Sequence, residues 1–104
     1  MAQFDVYPNP SSSAKHGIPY VVVIQSDLLD GLTTRLTIPL ATDAWTGNTP
    51  NKLSPLITVK GQRLRALAHY AAPLPTRALR QSLGNVSAQS AALIAAMDVV
   101  LSGV

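Results

Sequence analysis

The sequence predicts a mainly β fold that ends in one α-helix, and three stretches carry this prediction. Tyr20–Ile24 is a continuous apolar run rich in β-branched residues, typical of a strand that is buried on both faces. Lys60-Gly61 separates two segments with strand character and suits a two-residue hairpin turn. Ala88–Leu101 is rich in strong helix formers, and Gly103 follows it where a helix would end.

The other strands follow from alternating apolar residues. Gln3–Tyr7 alternates and is predicted as the first strand, and Arg35–Leu40 alternates after the central loop. Pro39 cannot donate a ladder hydrogen bond, so we expect an edge or a bulge at that end of the strand. Further extended segments are expected at Pro55–Val59, Gln62–Leu67 and His69–Pro75, whereas Arg77–Leu83 is open between a strand and a helical turn.

The loop between the two central strands has an unusual composition. It carries Asp27 and Asp30 around the apolar pair Leu28 and Leu29, although loop tips are usually polar. The pair has two interpretations: a small core beneath the loop, or a contact surface for a partner. The residues alone favour the small core.

The C-terminal helix is predicted to have one apolar stripe and no well-solvated face. Ser87 is a candidate N-cap. The face opposite the stripe carries Ala, Ser and Gln rather than Lys and Glu, which predicts a helix wedged between the sheet and something else. The stripe consists of Leu93, Ile94, Met97, Val100 and Leu101.

Composition sets limits on what the chain does. With 104 residues we expect a single domain over residues 1–104, and 12% charged residues is few enough to suggest that a second copy covers apolar surface. The net charge of +3 comes from scattered bases, and five aromatic residues (three Tyr, one Trp, one Phe) offer little for base stacking, so a mildly basic protein is favoured over a nucleic-acid binder.

Several kinds of site and targeting segment are not expected. The chain has no cysteine, and His16 and His69 are far apart, which argues against a metal site or cofactor. The N-terminus lacks the pattern of a signal peptide and Ala91–Leu101 is too short to span a bilayer, so we expect a cytoplasmic protein. His69 has no visible partner for acid–base work, and an enzyme is the less favoured class.

Arg35, beside Thr33 and Thr34, has two interpretations. The group could hold a phosphate, but an arginine that opens a strand and pairs with Asp30 is favoured.

With these elements in order, the chain resembles the CcdB family of toxins, the gyrase poisons of CcdA–CcdB modules. The resemblance covers most of the chain and rests on motifs at fixed spacing. These are Gln3-Phe4-Asp5-Val6-Tyr7, Gln25-Ser26-Asp27-Leu28-Leu29-Asp30, Arg35, Ile38-Pro39-Leu40, the final helix, and Gly103 followed by the aliphatic Val104.

The resemblance implies a fold and a function. The fold is an SH3-like barrel of the CcdB and MazF/Kid toxin type, with an antiparallel sheet, a small second sheet and a C-terminal helix. The function is that of a homodimer that binds the DNA gyrase A subunit, traps the cleaved-DNA complex and is released by a CcdA-like antitoxin. No catalysis or cofactor is involved, and DNA is met only through gyrase or the antitoxin complex.

The resemblance also implies a gyrase-facing surface. The positions are Leu28, Leu29, Asp98, Leu101, Ser102, Gly103 and Val104. In the best-known member the C-terminal tripeptide is Trp-Gly-Ile, so Ser102 replaces a large aromatic anchor.

Two alternatives stay open. One is an mRNA endonuclease like the MazF/Kid toxins, with Arg35, Thr34 and His69 as candidate residues. The other is a non-toxic homologue that binds antitoxin as a decoy, because Ser102 stands in place of the tryptophan.

Overall fold

The computed structural model describes residues 1–103 and shows an antiparallel β structure with one C-terminal α-helix. The elements in this part of the chain are β1 (Asp5–Pro8), β2 (Tyr20–Val23), β3 (Thr34–Ala41), β4 (Leu56–Val59), β5 (Gln62–Ala66), β6 (Ala72–Pro75), β7 (Gly84–Asn85) and α1 (Ser90–Ser102). The strands form one sheet in the order β4-β5-β3-β2-β1-β7, with β6 paired to β3, and the sheet curves into a nearly closed barrel. The predicted fold class, mainly antiparallel β with one C-terminal helix, is confirmed, and the strands of the expected small second sheet belong to this same sheet.

Strand β3 pairs with β2 along one side and with two strands, β6 and β5, along the other side. Its first half pairs with β6 from Thr34 to Thr37, and its last two residues, Leu40 and Ala41, pair with β5. Pro39 lies where β6 has ended and β5 begins, and its carbonyl accepts a hydrogen bond from Leu67 N at 2.9 Å. Pro39, which has no N–H to donate, therefore lies where β3 changes from one partner strand to the next, inside the sheet rather than at its outer edge.

Two apolar clusters lie on opposite faces of β2. Val22 packs into the main core between the sheet and α1, whereas Val21 and Val23 pack with Tyr7 and Leu79 on the other side. This confirms that β2 is buried on both faces. The largest fully buried apolar side chains are Ile38, Leu40, Ile57, Leu64, Leu67, Leu93, Val6, Val22 and Val23.

Two segments near β6 differ from simple extended chain. Ala68–Tyr70 forms a 3₁₀ turn, in which Tyr70 N donates to Leu67 O at 3.0 Å, so the expected extended stretch begins only at Ala72. Arg77–Leu83, which the sequence left open, begins within another 3₁₀ turn, Thr76–Ala78, and then continues without regular structure to β7.

The start of the helix also differs from its prediction, whereas the end agrees. Ser87 is not the N-cap, because it opens a 3₁₀ turn that leads into α1 at Ser90. Asn85 Oδ1 accepts from Ser87 N at 2.9 Å at the start of this turn, whereas the N-cap residue of α1 is Gln89, whose side chain makes no capping hydrogen bond. Gly103 ends the helix with φ of 78°, and its N–H donates to Val99 O at 2.9 Å.

Gln89 links the two outer strands of the sheet path. It follows β7, and its side chain reaches β4, where Oε1 accepts from Thr58 N and Nε2 donates to Thr58 O, both at 2.8 Å. One amide thus satisfies both main-chain groups of an edge residue, as a neighbouring strand would. The contact helps to close the barrel.

Replacing this amide should destabilise the barrel. In Gln89→Glu the donor to Thr58 O is lost and a carboxylate oxygen faces that carbonyl, so we expect the free energy of unfolding to fall by about 1–2 kcal/mol. Urea denaturation measures the change. Gln81→Glu is the control, because Gln81 is exposed and has no hydrogen-bond partner among residues 1–103. Equal stability of the two variants would contradict the role of Gln89.

The described part of the chain contains neither a membrane-spanning helix nor a metal-ligating cluster. Over residues 1–103, no helix combines the length and the apolar character needed to cross a membrane. The same residues include no group of three or more His, Cys, Asp or Glu side chains placed to hold a metal ion.

Candidate functional site

The loop between β2 and β3 presents leucine side chains to solvent. We call residues 25–33 the leucine loop. Leu28 is 92% exposed, and Leu29 and Leu32 are about half exposed, at 49% and 53%. A small core beneath the loop would have buried these side chains, so that interpretation is wrong for Leu28. Leu32 extends the apolar surface beyond the pair that the sequence singled out.

Gln25 and Ser26 fix the shape of the leucine loop. Gln25 Oε1 accepts from Leu36 N at 2.9 Å, and Nε2 donates to Thr34 O at 3.2 Å, so the glutamine pairs with the start of β3. Ser26 Oγ accepts from Leu28 N at 3.2 Å and caps the 3₁₀ turn Asp27–Leu29 that carries the leucines. These polar residues explain how an apolar tip is held away from the core.

Asp27 ties the loop to the N-terminus. Its Oδ1 accepts from Gln3 N at 2.7 Å, and Gln3 Nε2 donates in turn to Ile24 O at 3.1 Å. The two motifs at Gln3 and at Gln25–Asp27, which are far apart in the sequence, therefore form one hydrogen-bonded unit.

Arg35 holds the other side of the loop from a buried position. Nη1 donates to Leu32 O at 2.6 Å and to Thr34 O at 2.9 Å, and Nη2 donates to Asp30 O at 2.6 Å. The expected partner Asp30 is thus contacted through its main-chain carbonyl rather than its carboxylate. The backbone is fixed on both sides of the tip, so little conformational entropy remains to be lost when the tip binds a partner.

The predicted apolar stripe of α1 is split between the core and solvent. Leu93 and Ala96 are buried and Met97 packs against the core, but Ile94 is 52% exposed and Leu101 is 78% exposed. Asp98 is exposed and is the one charged residue of α1. The solvent-facing side of the helix therefore combines apolar side chains with a single carboxylate.

The C-terminal positions continue this exposed side. Ser102 is exposed, and its Oγ donates to Asp98 O at 2.7 Å, one turn back along the helix. Gly103 is exposed at the end of α1. Val104 lies outside the described residues, so its predicted role stays a prediction.

A groove of about 170 Å³ separates α1 from the strand ends that carry the leucine loop. Ile24 lies at the foot of the loop, while Ile94 and Asp98 belong to the exposed side of the helix. The depression is largely apolar and lies beside the foot of the loop, and Ile94 of the predicted stripe faces it from the helix. The lining residues are Phe4, Ile24, Leu93, Ile94, Met97 and Asp98.

Phe4 places its ring in this groove through an unusual backbone conformation. Its φ is 69°, a region that bulky residues rarely occupy and that costs about 1–3 kcal/mol. Hydrogen bonds on both sides hold it there, from Phe4 N to Val23 O at 2.6 Å and from Val86 N to Phe4 O at 2.9 Å. This is why β1 begins only at Asp5.

The three residues considered for ribonuclease chemistry are not gathered into one cluster. Arg35 is buried with its guanidinium bonded to main-chain carbonyls. Thr34 pairs with Pro75 at one end of β6, whereas His69 lies in the turn before the other end and packs on Tyr70 with ring centroids 4.2 Å apart. The length of β6 is about 10 Å, so Thr34 and His69 are at opposite ends of it.

The sequence and the fold of this chain are both similar to those of known proteins. A family model described as CcdB protein matches residues 3–103. Among solved structures, one described as an endoribonuclease in complex with its cognate antitoxin from Mycobacterial species has a TM-score of 0.78 and 15% identity, covering 97% of this chain and 94% of that one. At this identity the likeness shows the fold alone. A search of curated proteins found no match.

Proposed function

Because the chain belongs to the CcdB family, we propose that it is the toxin of a toxin–antitoxin module that binds the DNA gyrase A subunit and traps the gyrase–cleaved DNA complex. Trapping the complex blocks replication and transcription. A CcdA-like antitoxin neutralises the toxin, and the net charge of +3 suits an acidic antitoxin segment.

One observation supports this proposal above the others: Leu28 is 92% exposed at the tip of a loop whose backbone is fixed by Gln25, Asp27 and Arg35. Exposing a leucine in a rigid conformation has no benefit for folding, because its burial would stabilise the chain by about 1.5–3 kcal/mol. A partner that buries Leu28 recovers that free energy.

The proposed mechanism is binding without catalysis. Two copies related by a two-fold axis would each present a leucine loop and the end of α1, so that one dimer meets both halves of the dimeric gyrase A subunit. The toxin holds gyrase while its DNA is cut, and it meets DNA only through gyrase or through the antitoxin complex. No cofactor takes part.

The test is a cleavage assay with purified protein, gyrase and supercoiled plasmid. We expect cleaved plasmid to accumulate after the reaction is stopped with detergent and protease, and we expect the protein to bind a purified gyrase A fragment. Absence of both effects would refute the proposal. Binding to an antitoxin encoded beside the gene, with no effect on gyrase, would instead identify a non-toxic decoy.

The ribonuclease alternative rests on the similarity in fold to a protein described as an endoribonuclease. Incubation with RNA tests it, and we expect the RNA to remain intact. If cleavage occurs, Thr34→Val is the informative variant, because Thr34 is exposed. Arg35→Ala would remove the hydrogen bonds that hold the leucine loop, so it would not separate chemistry from folding.

A further inference from the structure

A second groove lies away from the leucine loop, between residues 42–51 and the β4–β5 hairpin. Its volume is about 540 Å³, within the range of about 300–1,000 Å³ typical of small-molecule sites. Its lining is mainly polar and includes two arginines. The residues that matter here are Asp43, Trp45, Thr49, Leu56, Arg63 and Arg65.

The hairpin register places both arginines on the same face. Arg65 pairs with Leu56 and Arg63 pairs with Thr58, whereas Ile57 and Leu64 between them are buried in the core. Alternation along a strand then puts Arg63 and Arg65 on the outer face, about 7 Å apart along β5. Two positive charges therefore line one side of the groove.

The two guanidinium groups are held differently. Arg65 Nη1 donates to Ser54 Oγ at 3.2 Å and to Ser54 O at 3.4 Å, which leaves its other nitrogens available. Arg63 is exposed and has no hydrogen-bond partner among residues 1–103. One arginine is preorganised, and the other is free to close on a ligand.

The opposite wall contributes a hydroxyl without a partner and a fixed aromatic ring. Thr49 Oγ1 is buried and has no hydrogen-bond partner in the described chain, and such a group usually has one. Trp45 packs against Ile18, Ala41 and Leu67 and contacts Tyr70 edge-on, with ring centroids 6.0 Å apart.

We propose that this groove binds the phosphate of a ligand of nucleotide size. Guanidinium groups match phosphate oxygens in geometry and charge, and Arg63 and Arg65 would contact the phosphate. Asp43, the one carboxylate in the lining, would accept hydrogen bonds from sugar hydroxyls, while Trp45 and Leu56 give an apolar wall. The nucleotide is either free or part of a single-stranded nucleic acid, since both present the same chemistry.

Trp45 is the one tryptophan of the chain, so its fluorescence reports on this groove. We expect a saturable change on titration with ADP that pyrophosphate reverses. A change with a short single-stranded oligonucleotide but not with ADP would support the site and assign the ligand to nucleic acid. No saturable change with either probe would overturn the proposal.

Two matched variants distinguish binding in the groove from non-specific electrostatic attraction to the protein. Arg63→Gln should weaken binding at least about tenfold, because it removes a charge-assisted contact. Arg80→Gln removes an exposed positive charge outside the groove and should leave binding unchanged. Equal weakening by the two variants would overturn the proposal. The result does not depend on gyrase binding, since the leucine loop takes no part in this groove.

Discussion

Replacing Leu28 with aspartate is expected to abolish gyrase poisoning without unfolding the protein. Leu28 is 92% exposed, so its exchange should change the free energy of unfolding by less than about 0.5 kcal/mol. In a complex, the loss of leucine burial and the desolvation of a carboxylate together cost about 3 kcal/mol, roughly a hundredfold in affinity. Titration with a gyrase A fragment and the plasmid cleavage assay measure the effect.

The control for this exchange is Leu56→Asp. Leu56 is 49% exposed on β4, outside the leucine loop, and receives the same change in size and charge. It should keep its affinity for the gyrase A fragment. If Leu28→Asp still traps cleaved DNA, or if both variants lose binding equally, the leucine loop is not the binding surface.

The parts of the fold that were predicted from the sequence depend on local signals. The β4–β5 hairpin is an example, because Lys60 and Gly61 both adopt positive φ, at 50° and 81°, as the two-residue turn requires. Strand β2 is another, because a run of valines has no face suited to water. Gly103 likewise ends α1 because it adopts the left-handed conformation at little cost.

The parts that were not predicted depend on contacts between distant residues. Ser87 is a reasonable cap by composition, but a 3₁₀ turn precedes the helix there, next to Asn85, whose Nδ2 donates to Gln3 O and to Asp5 Oδ1 at 2.9 Å from the other end of the chain. Arg35 donates to main-chain carbonyls rather than to the Asp30 carboxylate. The sequence does not indicate which carbonyl will be the acceptor, because every residue has one. Gln89 closes on Thr58 across 31 positions of the chain.

The candidate site shows the same division. The motif Gln25-Ser26-Asp27 pointed to the family through the resemblance, and the structure supplies a physical reason for each residue type: two amide contacts to β3, a cap and a link to Gln3. Exposure of Leu28 could not be read from the sequence, since an apolar pair in a loop is more often buried. Its role in binding gyrase stays a prediction.

Replacing Ser102 with tryptophan is expected to strengthen binding to gyrase. Ser102 is exposed at the end of α1, where its small side chain offers little area to a partner. A tryptophan supplies a large rigid surface and can stack on an arginine, which is worth about 2 kcal/mol at an interface and more than tenfold in affinity. The hydrogen bond from Ser102 Oγ to Asp98 O is lost, at a small cost in stability.

The control for the added tryptophan is Ser12→Trp, which places the same ring at an exposed serine away from the leucine loop and from α1. It should leave the affinity for the gyrase A fragment unchanged, which would rule out non-specific apolar binding by the added ring. If the wild type fails to trap cleaved DNA and Ser102→Trp succeeds, the decoy is the correct description of the natural protein, and Ser102 is its cause. If both bind with equal affinity, the end of α1 lies outside the interface, and the leucine loop alone carries recognition.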